Sequence, residues 1–170
     1  MLTLHRPSNV DSPETLKGIL EAVEQVGNRI PVIFPVHPRT RKIIAESDIA
    51  EWLLKSKGLR LIDPLGYLNF LKLYSGARLV LTDSGGIQEE TSVLGIPCLT
   101  LRENTERPIT VTMGTNRIVG TDPEKIIAAA FDALSENTKK PATIPLWDGH
   151  TAERIVDALE DFEFSPRSAA

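Results

Sequence analysis

A chain of 170 residues with 41% hydrophobic content can fill one well-packed core, so a single domain is expected. Its formal net charge of -4 and pI near 5.4 argue against nucleic acid or an anionic membrane as partner, since either usually needs a basic surface. No apolar run reaches membrane-spanning length and no signal-peptide pattern is present, so a cytoplasmic location is expected; the single cysteine, Cys98, lies in an apolar run and reads as a core residue.

Met1 to His5 reads as a strand with nothing before it, which suggests a chain cut from something longer at a domain boundary. Ser12-Pro13-Glu14 is a helix start, after which Leu16, Ile19, Leu20, Val23 and Val26 recur at helical spacing. Pro31 to Val36 is a second strand, broken by His37-Pro38, and a helical region follows that restarts at Ser47-Asp48 and stops near Gly58. Leu59 to Ile62 is a third strand, and Tyr67 to Tyr74 a short helix.

Arg78 to Thr82 is a fourth, buried strand, followed by the polar turn Asp83-Ser84-Gly85-Gly86 and a helix ending near Gly95. Pro97 to Leu101 is a fifth strand, Arg102 to Gly114 a polar loop without periodicity, and Arg117 to Val119 a sixth strand. Thr121 to Glu124 caps a helix with Ile126, Ile127, Phe131 and Leu134 on its apolar face. A loop from Lys139 to Trp147 leads to a last helix from Thr151 to about Phe162, and the tail Ser165 to Ala170 is expected to be disordered.

Short apolar strands alternating with helices predict an α/β fold: a three-layer, Rossmann-like domain over residues 1–164 with a parallel sheet of about six strands. In such sheets the ligand crevice lies beyond the carboxyl ends of the strands. That edge gathers His5, His37, Asp63, the turn from Asp83 to Gly86 and the loop from Arg102.

Strand, small-residue turn and helix together suit an anion. The first amides of a helix lack intrahelical partners and carry the positive end of its dipole, and two glycines let a phosphate reach the backbone. Glu90 lies one turn beyond Gly86, where a carboxylate can accept hydrogen bonds from both hydroxyls of a ribose. A simpler alternative makes Ser84 a helix cap and Glu89 and Glu90 solvated residues favoured by the dipole. Capping alone does not explain two glycines in one turn, each costing about 0.8–1 kcal/mol relative to alanine.

Phe70 and Tyr67 either stack on a base or belong to the core, and their spacing favours the core. Arg102 and Arg107 either clamp phosphate oxygens or are solvated. His5 is suited to proton or phosphate work at the ligand edge, with a structural histidine as the alternative; His37 and His150 are weaker candidates. The chain has no dinucleotide fingerprint, no Walker lysine loop, and no paired histidines or Asp-x-Asp at metal spacing, so no metal and no cofactor is expected.

Several segments occur together in a familiar order: Thr3-Leu4-His5-Arg6 with Asn9, Pro35-Val36-His37-Pro38, Pro64-Leu65 with Tyr67 and Phe70, Thr82 to Glu90, Thr105-Glu106-Arg107-Pro108, and Gly114-Thr115. Over nearly its whole length the chain resembles the carboxyl-terminal half of the non-hydrolysing UDP-N-acetylglucosamine 2-epimerases. The resemblance implies one half of a GT-B-like enzyme, with the active site in the cleft between two Rossmann-like halves and an amino-terminal domain missing here. It implies pyrophosphate contacts at Ser84, Gly85 and Gly86, ribose at Glu90, uracil near Phe70, phosphates at Arg107, and His5 as the active-site histidine.

The implied partners are UDP and UDP-N-acetylhexosamines, in a homodimer when intact. The implied reaction eliminates UDP from C1 as the C2 proton leaves, then adds it back with protonation on the other face; the acid and base belong to the absent half. Two departures stand out: Ser8 occupies the glutamate position of an H-R-x-E-N pattern, and Leu146-Trp147-Asp148-Gly149 stands where the family has Tyr-Gly-Asp-Gly. Rival readings are a GT-B glycosyltransferase domain using a UDP-sugar, and a non-catalytic UDP-binding module.

Overall fold

A computed structural model describes residues 1–136 and 143–162, so the expected tail and part of the loop from Lys139 lie outside the described residues. Six parallel strands alternate with helices. They are β1 (Leu2–Thr3), β2 (Val32–Pro35), β3 (Leu59–Ile62), β4 (Val80–Thr82), β5 (Cys98–Thr100) and β6 (Asn116–Ile118). The helices are α1 (Pro7–Val10), α2 (Pro13–Gly27), α3 (Pro38–Ala45), α4 (Ile49–Leu53), α5 (Tyr67–Ser75), α6 (Gly85–Leu94), α7 (Pro108–Thr112), α8 (Pro123–Ser135) and α9 (Thr151–Glu160).

The expected continuous sheet of about six strands is corrected to a four-stranded sheet, in the order β1-β4-β5-β6, and a separate β2-β3 pair. β1 lies beside β2, but no ladder joins them. At the end of β1 the amides of His5 and Arg6 donate to the Asp83 carboxylate just past β4. In register, Leu2 faces Leu81 and Thr3 faces Thr82, while Thr82 faces Thr100 and Thr100 faces Ile118. The ends of these strands therefore form one shelf.

The helical spacing of α2 is explained by its buried face: Leu16, Ile19, Leu20, Val23 and Val26 are all at most 1% exposed. They share a core with Phe34 of β2, Leu81 of β4, Leu99 of β5 and Ile126 and Ala130 of α8. Burial of each large side chain contributes about 1.5–3 kcal/mol, an upper estimate because unfolded chains already hide some apolar surface. Ser12 accepts from the Thr15 amide at the start of α2, and Asp122 from the Glu124 amide at the start of α8, each with proline at the first helical position. Cys98 is buried in β5, and burial pushes its thiol up to about 12, which keeps it protonated and unreactive.

The loop expected from Arg102 to Gly114 contains the short helix α7, started by Pro108. At the other end of α6, Gly95 adopts a left-handed conformation with φ 68°, and its amide reaches back to the Ser92 carbonyl. No helix among the described residues is long and apolar enough to cross a membrane.

Candidate ligand site at the shelf of strand ends

The shelf is organised by Asp83, which is fully buried. Its Oδ2 accepts from the Arg6 amide at 2.9 Å, the His5 amide at 3.1 Å and Asn9 Nδ2 at 3.2 Å. Its Oδ1 lies 2.9 Å from His5 Nδ1. One carboxylate thus fixes the end of β1, the first turn of α1 and the histidine ring. The hydrogen bond to Asp83 outweighs desolvation and the neighbouring Arg6 and raises the pKa of His5 above its usual value. Asn9 also donates to the Leu101 carbonyl at 2.9 Å, which ties the same corner to β5.

Immediately after Asp83, the chain turns into α6. Ser84 is the N-cap by backbone geometry, yet its side chain makes no capping hydrogen bond, unlike Ser12 and Asp122. The simpler assignment of Ser84 as a cap is therefore not what the side chain does. A methyl group placed on Gly86 would meet nothing within 4 Å, and one on Gly85 would meet only Glu106 Oε2, at 4.0 Å. Among the described residues nothing requires these two glycines to lack a side chain, and the space beside them at the start of α6 is open.

One turn further along, Glu90 accepts a hydrogen bond from the Tyr74 hydroxyl. Tyr74 is buried, and burial together with Glu90 pushes its pKa well above the ordinary value, so it remains a donor. Phe70 meets Tyr74 edge to face, with ring centroids 5.4 Å apart. Its own ring is half-buried and lines a shallow pocket of about 240 Å³ with His5, His37, Pro64 and Leu65. Phe70 is thus packed on one side and open on the other, and the two alternatives set out for it are compatible. Tyr67 is largely exposed.

The arginines are held apart. Arg107 Nε pairs with Glu89 Oε1 at 2.8 Å on the flank of α6. Arg102 grips Glu106 in a two-toothed bond of 2.7 and 2.8 Å, which holds the Glu106 carboxyl down to about 2, and Arg6 lies 3.8 Å from the same carboxylate. A carboxylate therefore stands beside Gly85, within reach of two cations, where an anionic ligand would also be drawn. His37 caps α3, accepting from the Arg39 amide at 3.3 Å, and Asp63 pairs with Arg41 at 2.9 Å. His150 pairs with Glu153 at 2.9 Å beside α9 and is not among the residues lining the His5 pocket.

His5 and Phe70 line one pocket, Ser84, Gly85, Gly86 and Glu90 lie along the start of α6, and Arg107 meets the flank of α6 through Glu89. The roles of Asp83, Asn9 and Tyr74 in supporting them were not legible in the sequence. A polar network behind the arginine loop was also missed: buried Gln88 accepts from Thr105 at 2.5 Å and Asn116 at 3.1 Å, anchoring the segment that carries Arg107. Among the described residues no group of three His, Cys, Asp or Glu side chains is placed to hold a metal.

A family model described as UDP-N-acetylglucosamine 2-epimerase matches residues 1–160. A UDP-N-acetylglucosamine 2-epimerase of Methanocaldococcus jannaschii is 45% identical over 161 residues, covering 94% of this chain and 43% of the relative. The crystal structure of a Methanocaldococcus jannaschii UDP-GlcNAc 2-epimerase in complex with UDP-GlcNAc and UDP matches with a TM-score of 0.83 at 44% identity, over 94% of this chain and 44% of that one. A UDP-2,3-diacetamido-2,3-dideoxy-D-glucuronate 2-epimerase of Pseudomonas aeruginosa is 38% identical over 94% of this chain and 43% of its own length. The chain spans less than half the length of these relatives.

Proposed function

This chain belongs to the UDP-N-acetylglucosamine 2-epimerase family, and on that premise we propose that it supplies the UDP-binding half of a cytoplasmic, non-hydrolysing 2-epimerase that interconverts UDP-GlcNAc and UDP-ManNAc. The observation that carries this reading is the uncapped start of α6, with open space over Gly85 and Gly86 and Glu90 one turn below. A diphosphate seated on those amides, with its charge shared by Arg107, places the ribose against Glu90 and the base toward Phe70.

The chemistry follows from the substrate. C2 of the sugar has no adjacent carbonyl to acidify its proton, so the C–H electron pair forms a C1–C2 double bond while UDP departs with the C1–O pair. UDP then returns to C1 as a proton is delivered to C2 on the opposite face. This chain stabilises the leaving diphosphate through helix amides and a guanidinium. The acid and base at C2 come from a second domain facing the shelf.

Two substitutions test the binding half. Ser84→Ala removes no capping bond, so stability should change by less than about 0.5 kcal/mol while UDP affinity, measured by calorimetry, falls several-fold. Glu90→Ala removes a charged acceptor worth about 1.5–3 kcal/mol to a hydroxyl donor, so affinity should fall about 10- to 100-fold. Unchanged affinity in both variants would contradict the assignment of the turn.

The reaction is tested with the full-length protein that carries this domain, incubated with UDP-GlcNAc in deuterium oxide. Formation of UDP-ManNAc with deuterium at C2 is the expected result. Sugar transfer to an acceptor without exchange at C2 would identify a glycosyltransferase instead.

A further inference from the structure

We infer that Asp83 is a positioning residue that holds His5 as its Nδ1–H tautomer, so that the ring presents Nε2 to the bound diphosphate. The ligand side of this inference rests on the reading that the turn from Ser84 to Gly86 holds UDP. The tautomer itself follows from this chain alone. Asp83 Oδ1 can only accept, and it lies 2.9 Å from Nδ1, so the proton sits on Nδ1. Nε2 is then the atom that gains or gives a proton. Because Ser84 follows Asp83 directly, the ring is tethered to the residue that begins the proposed phosphate turn.

The groups around the ring are few. Asp83 faces it from the end of β4, Arg6 follows it in the chain with Glu106 and Arg102 behind, and His37 shares its pocket from the end of β2. Of these, Asp83 alone makes a hydrogen bond to the ring. The hydrogen bond to Asp83 raises the His5 pKa and so favours the cationic ring, whose Nε2–H can donate to a phosphate oxygen.

Asp83→Asn gives a sharp test. Three donors, the amides of His5 and Arg6 and the side chain of Asn9, converge on Oδ2, so the asparagine oxygen must take that position. Its NH2 group then faces His5 Nδ1, which can only accept from it, and the proton is forced to Nε2. Imidazole nitrogen NMR of the whole chain should find the neutral His5 ring protonated on Nδ1, whereas the variant should carry the proton on Nε2 and titrate at lower pH. A neutral ring protonated on Nε2 in the unmodified chain would overturn the inference, and this measurement decides it even if the variant fails to fold. A folded variant with the same tautomer and titration would overturn it equally.

UDP affinity followed across pH then reads the consequence. It should fall several-fold as pH rises through the His5 titration, because the neutral Nδ1–H ring has no proton on Nε2, and the fall should be smaller in the Asp83→Asn variant, whose neutral ring keeps Nε2–H. A UDP affinity independent of pH would break the link from ring to ligand. Failure of the unmodified chain to bind UDP at all would instead refute the proposed function, while leaving the tautomer result to stand or fall by itself.

Discussion

Replacing Gly86 with alanine should make the protein slightly more stable and remove most of its affinity for UDP. The two effects have opposite sign because they arise on different surfaces of the same residue. In the free chain an added methyl meets nothing within 4 Å. Alanine also restricts the unfolded backbone and favours the helix, a gain of up to about 1 kcal/mol and smaller this close to the helix start. If a diphosphate sits on the α6 amides as proposed, that methyl lies in its path. Loss of one charge-assisted hydrogen bond costs about 1.5–3 kcal/mol, so UDP should bind about 10- to 100-fold more weakly. Thermal melting and calorimetry on one preparation check both parts. A destabilised variant that binds UDP normally would mean that the glycines serve the fold.

Asp83→Ala should destabilise the domain more than any other substitution at the shelf, by about 3–5 kcal/mol. Truncation leaves the Arg6 amide and the His5 amide without acceptors and deprives Asn9 of one of its two, at a corner where β1 is held by only two residues of ladder. Each buried donor left unpaired costs about 1–3 kcal/mol. At about 2–4 °C per kcal/mol for a chain of this size, the melting temperature should drop by roughly 6–20 °C. A fall of under 2 °C would show that water replaces the carboxylate readily, and that the corner is not organised by Asp83.

These two residues also show what the sequence discloses and what it hides. Gly86 is legible because its cost to a helix is local, and a local cost without local benefit points to a ligand. The stop at Gly95 is legible for the same reason. Asp83 was placed at the ligand edge, but its bonds to His5, Arg6 and Asn9 span more than 70 residues of chain. No periodicity encodes such a contact.

Ser84 illustrates a different limit. Residue type and position both predict a cap, but the hydroxyl makes no such bond, and only the folded geometry reveals it. Helix α7 was missed because five residues show no apolar period, although Pro108 at its first position is a recognisable start signal. Tyr74 was read only as the end of a short helix, and its link to Glu90 depends on how α5 packs against α6.

On the proposed function, the α6 start holds a diphosphate and Glu90, one turn below, accepts from the ribose. The direct measurement is calorimetric titration of the chain with UDP and, separately, with uridine, which keeps the base and ribose and lacks both phosphates. UDP should bind at least about 10-fold more tightly than uridine, the worth of one charge-assisted hydrogen bond or more. Equal affinities, or no binding of UDP, would mean that the α6 start is not a diphosphate site.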